Sequence, residues 1–158
     1  MGCILGNRGV NRYLLKSEPD AFSWAQQQAV AAEPWTGVRN AQAALVLKSM
    51  AVGDRAFFYH SNIGKEIVGV VEVARESYPD PSVEPDTKGA GTKGAGTKGN
   101  WVCVDMKAVS PVPRPVTLAA IKAEPRLEGI GLIRQSRLSC MPMSAEHWDI
   151  IRAMGGLA

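Results

Sequence analysis

Apolar residues recur with two different periods along the chain, and the switches between them mark its elements. Tyr13-Leu14-Leu15 is a short apolar run that stops at Ser17-Glu18-Pro19-Asp20, the pattern of a strand closed by a turn. Between Ala21 and Val30, Phe22, Ala25 and Ala29 fall at helical spacing among Ala and Gln, so a short helix is expected, and Pro34 blocks its continuation. Asn40 is placed to cap a second helix over 41–50, with Ala44, Leu47 and Met50 on one face and Gly53-Asp54 closing it. The aromatic-rich run Arg55 to His60 and the β-branched run Glu66 to Val73 read as two strands of a hairpin around Ser61 to Lys65.

From Trp101 to Val109 the alternation is strict: Val102, Val104, Met106 and Ala108 share one face, and Cys103, Asp105 and Lys107 the other. This is the pattern of a half-buried antiparallel strand, which Pro111, Pro113 and Pro115 are expected to end. Thr117 is placed to cap a helix through Lys122, and Gln135 to Met141 offers a last strand before Pro142. Ser144 then caps a terminal helix whose Trp148, Ile151 and Met154 face the core. Strands joined mostly by short turns, with helices between and after them, imply an α+β fold with a curved, mostly antiparallel sheet flanked by short helices.

Composition narrows this to one domain, since 158 residues with 46% hydrophobic content bury a single core. A net charge of +3 permits phosphate contacts without identifying a partner. Cys3, Cys103 and Cys140 are odd in number and widely spaced, so neither a disulfide framework nor a thiolate zinc site is expected. No apolar run is long enough to cross a bilayer, so no membrane partner and a cytoplasmic location are expected. The Met1-Gly2-Cys3 start lacks the Ser or Thr that an acylation motif needs at position 6, where Gly stands, and residues 1–11 read as a loose extension to a domain over 12–155. Within that domain Thr-Lys-Gly-Ala-Gly recurs at 87–91 and 92–96, so about 80–100 is expected to be a flexible Gly-rich loop. Its Lys88, Lys93 and Lys98 offer a basic arm for a phosphate backbone.

Enzyme signatures are missing: there is no phosphate-binding loop, dinucleotide fingerprint or nucleophile elbow. Only His60 and His147 are available, and His60 and Ser61 point to opposite faces of a strand, which keeps them from forming a nucleophile and base pair. No metal-ligand spacing exists, no cofactor is implied, and Asp80, Glu84 and Asp86 read as a solvated turn. Four clusters at element boundaries combine aromatics with polar groups: Lys16-Ser17-Glu18-Pro19, Trp35-Thr36-Gly37-Val38-Arg39-Asn40, Tyr59-His60-Ser61-Asn62 and Arg137-Leu138-Ser139. Such loops suit a planar heterocycle, stacked on Trp35 or Tyr59 and read at its edges by Ser17, Asn40 or Ser61. The competing reading fills the core with Trp24, Trp101 and Trp148 and leaves Asn40 as a helix cap only.

These same clusters resemble the motifs of the EVE domain family, in the same order and over roughly Arg12 to Gly155. Tyr13 to Pro19 is similar to its opening strand, Trp35 to Asn40 to its W-x-G-V-R-N segment, and Arg137-Leu138-Ser139 before Pro142 to its last motif. Thr36 departs from the pattern, standing where an Asp is common. The resemblance implies a PUA-like, curved and barrel-like sheet in a small bacterial protein that binds a modified base of DNA or RNA. It implies a pocket of Lys16, Ser17, Trp35, Val38, Arg39, Asn40, Tyr59, His60, Ser61, Arg137 and Ser139. Two other readings use this pocket: a small-molecule sensor or regulatory subunit, and a nucleoside- or RNA-processing hydrolase built on His60 and Glu18.

Overall fold

The computed structural model describes residues 10–82 and 101–157. Strand β1 (Arg12–Ser17) is followed by helix α1 (Trp24–Ala29), the two-residue strand β2 (Glu33–Pro34), helix α2 (Ala41–Lys48), and strands β3 (Arg55–His60) and β4 (Glu66–Pro79). The second part holds β5 (Val102–Thr117), α3 (Leu118–Ala123), a 3-10 turn at Pro125–Leu127, α4 (Gly131–Arg134), β6 (Cys140–Met143) and α5 (Ala145–Met154). The strands form one sheet in the order β2-β5-β4-β3-β1-β6. Neighbours are antiparallel except β1 and β3, which run parallel with Leu14 level with Phe57 and Leu15 level with Phe58. The α+β expectation holds, but the sheet is not closed: β2 and β6 stand at its two edges.

Strands β1 and β3, both internal to the sheet, are buried on both sides, which is why Leu14-Leu15 and Phe57-Phe58 are continuous apolar runs and not alternating ones. Phe57 stacks on Trp148 of α5 with ring centroids 3.9 Å apart, while Phe58 faces the other way into Trp24 (5.4 Å) and Trp35 (5.6 Å). Gly69 lies opposite Phe58 in the hairpin, and a Cβ there would sit 2.4 Å from the Trp24 ring. The glycine is therefore what lets α1 settle on the sheet. Register shifts between β3 and β4 and along β4 and β5 bend these long strands. Among the described residues no helix is long and apolar enough to cross a membrane.

Several local expectations need correction. Helix α1 starts at Trp24, not Ala21, because Ser23 and Gln26 form a capping box; its buried residues are Trp24 and Gln27, and Phe22 joins the aromatic group ahead of it. Pro111, Pro113 and Pro115 do not end β5. Four residues, 112–115, bulge between the pairs Pro111–Gly69 and Val116–Ile67, so Pro113 and Pro115 sit where the ladder requires no N–H. Cys103, assigned to the outward face, is fully buried, whereas Trp101, assigned to the core, is half-buried with the Arg39 guanidinium 5.8 Å from its ring. The last strand begins at Cys140 and contains Pro142, which is tolerated because β6 is an edge; Gln135 instead ends α4. Asn40, Thr117 and Ser144 each cap their helix as their positions imply. The loose extension lies outside the described residues apart from Val10 and Asn11, and so does most of the glycine repeat segment.

Candidate functional site

Because β1 and β3 are parallel, their C-terminal ends emerge side by side: Lys16 is level with Tyr59 and Ser17 with His60, and the Ser61 N–H donates to the Ser17 carbonyl at 2.9 Å. The segment leading into β6 arrives beside β1, where the Lys16 N–H donates to the Ser139 carbonyl at 2.9 Å. Three motifs far apart in sequence are thus brought together. They line a cavity of about 470 Å³ walled by Lys16, Glu18, Tyr59, Ser61, Arg137 and Ser139. On the other side of Lys16 a cavity of about 260 Å³ is bounded by Ser17, Glu18, Phe22, Pro34, Trp35 and Thr36. A third, of about 380 Å³, shares Ser136 and Arg137 with the first and continues to Arg134, Gln42 and Asn40. The first two cavities share Lys16 and Glu18 as walls, and the three adjoining cavities are together the cleft. A larger cavity, about 570 Å³, lies at the opposite ends of β1 and β3 around Arg12, Arg55 and Trp148, and none of the motif residues lines it.

Lys16 is the shared wall. Its Nζ donates to the Ser136 carbonyl at 2.6 Å, and partial burial lowers its pKa. The Ser17 hydroxyl donates to the Phe22 carbonyl at 2.5 Å, which fixes the turn carrying Phe22. Trp35 is 8% exposed and sits edge-on to Phe22 and Phe58, so it is at once a core residue and a cavity wall. Tyr59 is likewise almost buried, and burial raises its pKa. Val38 is buried and Asn40 accepts the Ala43 N–H through Oδ1. His60 Nε2 accepts the Trp24 backbone N–H at 3.0 Å; burial lowers its pKa, with Glu66 pulling the other way, so the ring is held neutral and in the Nδ1-protonated form.

Arg39 stands apart from the cleft. Its guanidinium donates to Asp80 at 3.0 Å and to the Ser82 hydroxyl at 3.2 Å. Asp80 was expected in a solvated turn, yet its side chain is fully buried and also accepts the Gly37 N–H at 2.8 Å and both the N–H and hydroxyl of Ser82. Burial alone would raise its pKa, but those hydrogen bonds together win and hold the carboxyl below its usual value. Asp80 therefore ties the Trp35–Asn40 loop to the end of β4. Glu84 and Asp86 lie outside the described residues, as do Lys88, Lys93 and Lys98. Among the described residues no group of His, Cys, Asp or Glu is arranged to hold a metal. Asn62, a member of the Tyr59–Asn62 cluster, also lines the cleft, as do Phe22, Lys65, Arg134 and Ser136, which no motif cluster contains; Asn62 and Lys65 have positive φ, a sign of a tight turn that only the hairpin length hinted at.

The family model for the EVE domain matches residues 11–154. The chain is a member of the EVE family. A Rhodopseudomonas palustris protein solved by NMR is 51% identical, with a TM-score of 0.79 over 93% of this chain and 94% of that one. Thymocyte nuclear protein 1 of Rattus norvegicus is 31% identical over 91% of this chain and 73% of its own length. The human THYN1 protein, crystallised in complex with DNA containing 5-methylcytosine, is 28% identical with a TM-score of 0.79, covering 94% and 99% of the two chains. An ASCH protein of Zymomonas mobilis, 10% identical with a TM-score of 0.52, shares the fold alone.

Proposed function

We propose that this EVE domain, taken as residues 12–155, is a non-catalytic nucleic-acid-binding module that receives one modified base of DNA or RNA in the cleft between β1, β3 and the segment before β6. The observation that carries the reading is the convergence of Lys16, Ser17, Tyr59, Ser61, Arg137 and Ser139 on contiguous cavities. The 5-methylcytosine DNA bound by the human relative supports a nucleic acid as the ligand class. The smaller cavity, at about 260 Å³, lies below the roughly 300–1,000 Å³ of drug-sized sites and suits a single ring. Its apolar wall is Phe22, Pro34 and Trp35, and its polar rim is Lys16, Ser17 and Glu18. Extruding a base costs a few kcal/mol, and stacking against such a wall returns about 1–3 kcal/mol, so an unpaired or already weakened base enters most readily.

His60 argues for binding and against hydrolysis. The nitrogen a general base would use already accepts a backbone N–H, and the residue is committed to holding α1 on the sheet. The test is binding of matched oligonucleotides, unmodified or carrying 5-methylcytosine, single- and double-stranded, at fixed salt, beside the free methylated nucleoside. The modified strand binds more tightly, and Trp35→Phe, which keeps the core filled, narrows the difference. Equal binding of both strands that is also indifferent to Lys16→Gln would sink the proposal; tight binding of the nucleoside alone would convert the module into a small-molecule sensor.

A further inference from the structure

We infer that the nucleic-acid strand runs its phosphates along a basic track formed by Lys65, Lys16, Arg137 and Arg134, flanking the base cavity. The inference rests on the reading of the cleft above and adds which groups of the ligand lie outside the base site and what holds them. The cavities of about 470 and 380 Å³ meet at Ser136 and Arg137, and their charged lining is those four cations against Glu18 alone. Four cations against one carboxylate leave a local excess of positive charge along these cavities, the sign that attracts phosphate.

These four are among the described cations that no carboxylate holds. Arg39, Arg55, Lys107, Arg126 and Arg152 each pair with a carboxylate, whereas among the described residues Lys16, Lys65, Arg134 and Arg137 pair with none. Engaging a phosphate there breaks no ion pair. The track is also held in shape: Lys16 Nζ donates to the Ser136 carbonyl, the Gln42 and Gln135 side chains bridge α2 to the end of α4 at 2.9 Å, and the Leu118 N–H pins the Lys65 carbonyl at 2.8 Å. Lys65, Arg134 and Arg137 are exposed, so a flexible strand reaches them directly. Arg39, by contrast, is committed to Asp80 and lies off the track.

Counterion release makes the track countable, because each phosphate neutralised contributes about 0.7 to the slope of log K against log salt for a single strand and about 0.9 for a duplex. The experiment measures binding of the full chain to a single-stranded oligonucleotide with one central 5-methylcytosine, and to its unmethylated twin, between roughly 50 and 200 mM salt. Lys65→Gln and Arg134→Gln each reduce the slope by about 0.7, weaken both oligonucleotides equally and leave their affinity ratio unchanged. Arg126→Gln, on a paired surface cation, leaves the slope as it was. Unchanged slopes in Lys65→Gln and Arg134→Gln, with melting temperatures like the wild type, overturn the track. A wild-type ratio of one refutes base reading while the slopes still decide the track. Competition by a poly-glutamate peptide as effective as the oligonucleotide at equal charge overturns the phosphate assignment.

Discussion

Removing the Asp80 carboxylate is the sharpest perturbation of the site's framework. It accepts four hydrogen bonds, from the Gly37 N–H, Arg39, and the N–H and hydroxyl of Ser82. Each bond to a charged group is worth about 1.5–3 kcal/mol when fully desolvated. Here Arg39 is 39% exposed, and Gly37 and Ser82 lie at the surface and regain water, so Asp80→Ala is discounted to about 2–3 kcal/mol in all. For a chain of this length that lowers Tm by roughly 5–10 °C. Asp80→Asn keeps the shape and one acceptor and loses about half as much. The pH dependence has a definite sign. The folded carboxyl titrates below its unfolded value, so its contribution is complete above about pH 4 and disappears as pH falls through the folded pKa. The gap between wild type and Asp80→Asn, followed by thermal melting, therefore closes toward acid. Asp80→Ala melting within about 2 °C of wild type at neutral pH, or a gap constant down to strong acid, would refute the reasoning.

His60 is held neutral, so the unfolded chain binds its proton at higher pH than the folded one; stability falls as pH drops below about 6.5, and His60→Gln, which keeps an acceptor for Trp24, removes that slope in melts between pH 5 and 7.5. An unchanged slope contradicts the assignment. Gly69→Ala drives a methyl into the Trp24 ring and costs about 3 kcal/mol, the upper end of overpacking, read as a lowered melting temperature and reduced near-UV dichroism; a protein that melts like wild type would show that α1 is free to shift. Asn40→Ala costs about 1 kcal/mol by denaturant unfolding, whereas Asn40→Asp retains the cap and the stability; equal losses in both mean that the cap is not what the side chain supplies.

What was readable from sequence and what was not divides along physical lines. Caps and short-range patterns are local, so Asn40, Thr117 and Ser144, and the β3–β4 hairpin, stand where their neighbours in sequence imply. The α1 start was missed because Phe22 fits the helical period equally well, and only the Ser23–Gln26 capping box excludes it. The prolines of β5 misled because a bulge opposite Val68 is set by strand pairing, which no local signal encodes. Several residues of the motif clusters line the same cavities, but their meeting depends on the parallel pairing of β1 with β3, a long-range event. For the same reason Arg39, which the motif places in the pocket, is found holding Asp80, which lies 41 positions away in sequence. Lys65 and Arg134 carry no motif at all; only the shape of the cleft draws them in.

The most direct test of where this EVE domain binds is a backbone amide NMR titration with a 5-methylcytosine oligonucleotide. Two cavities compete, and the larger lies at the wrong end of β1 and β3 for the motif residues. The cleft predicts the largest shifts at Lys16–Glu18, Tyr59–Asn62, Thr36 and Ser136–Ser139, attenuated with the unmethylated strand. Shifts centred instead on Arg12, Arg55, Trp148 and Arg152, with Lys16–Glu18 unmoved, would contradict it.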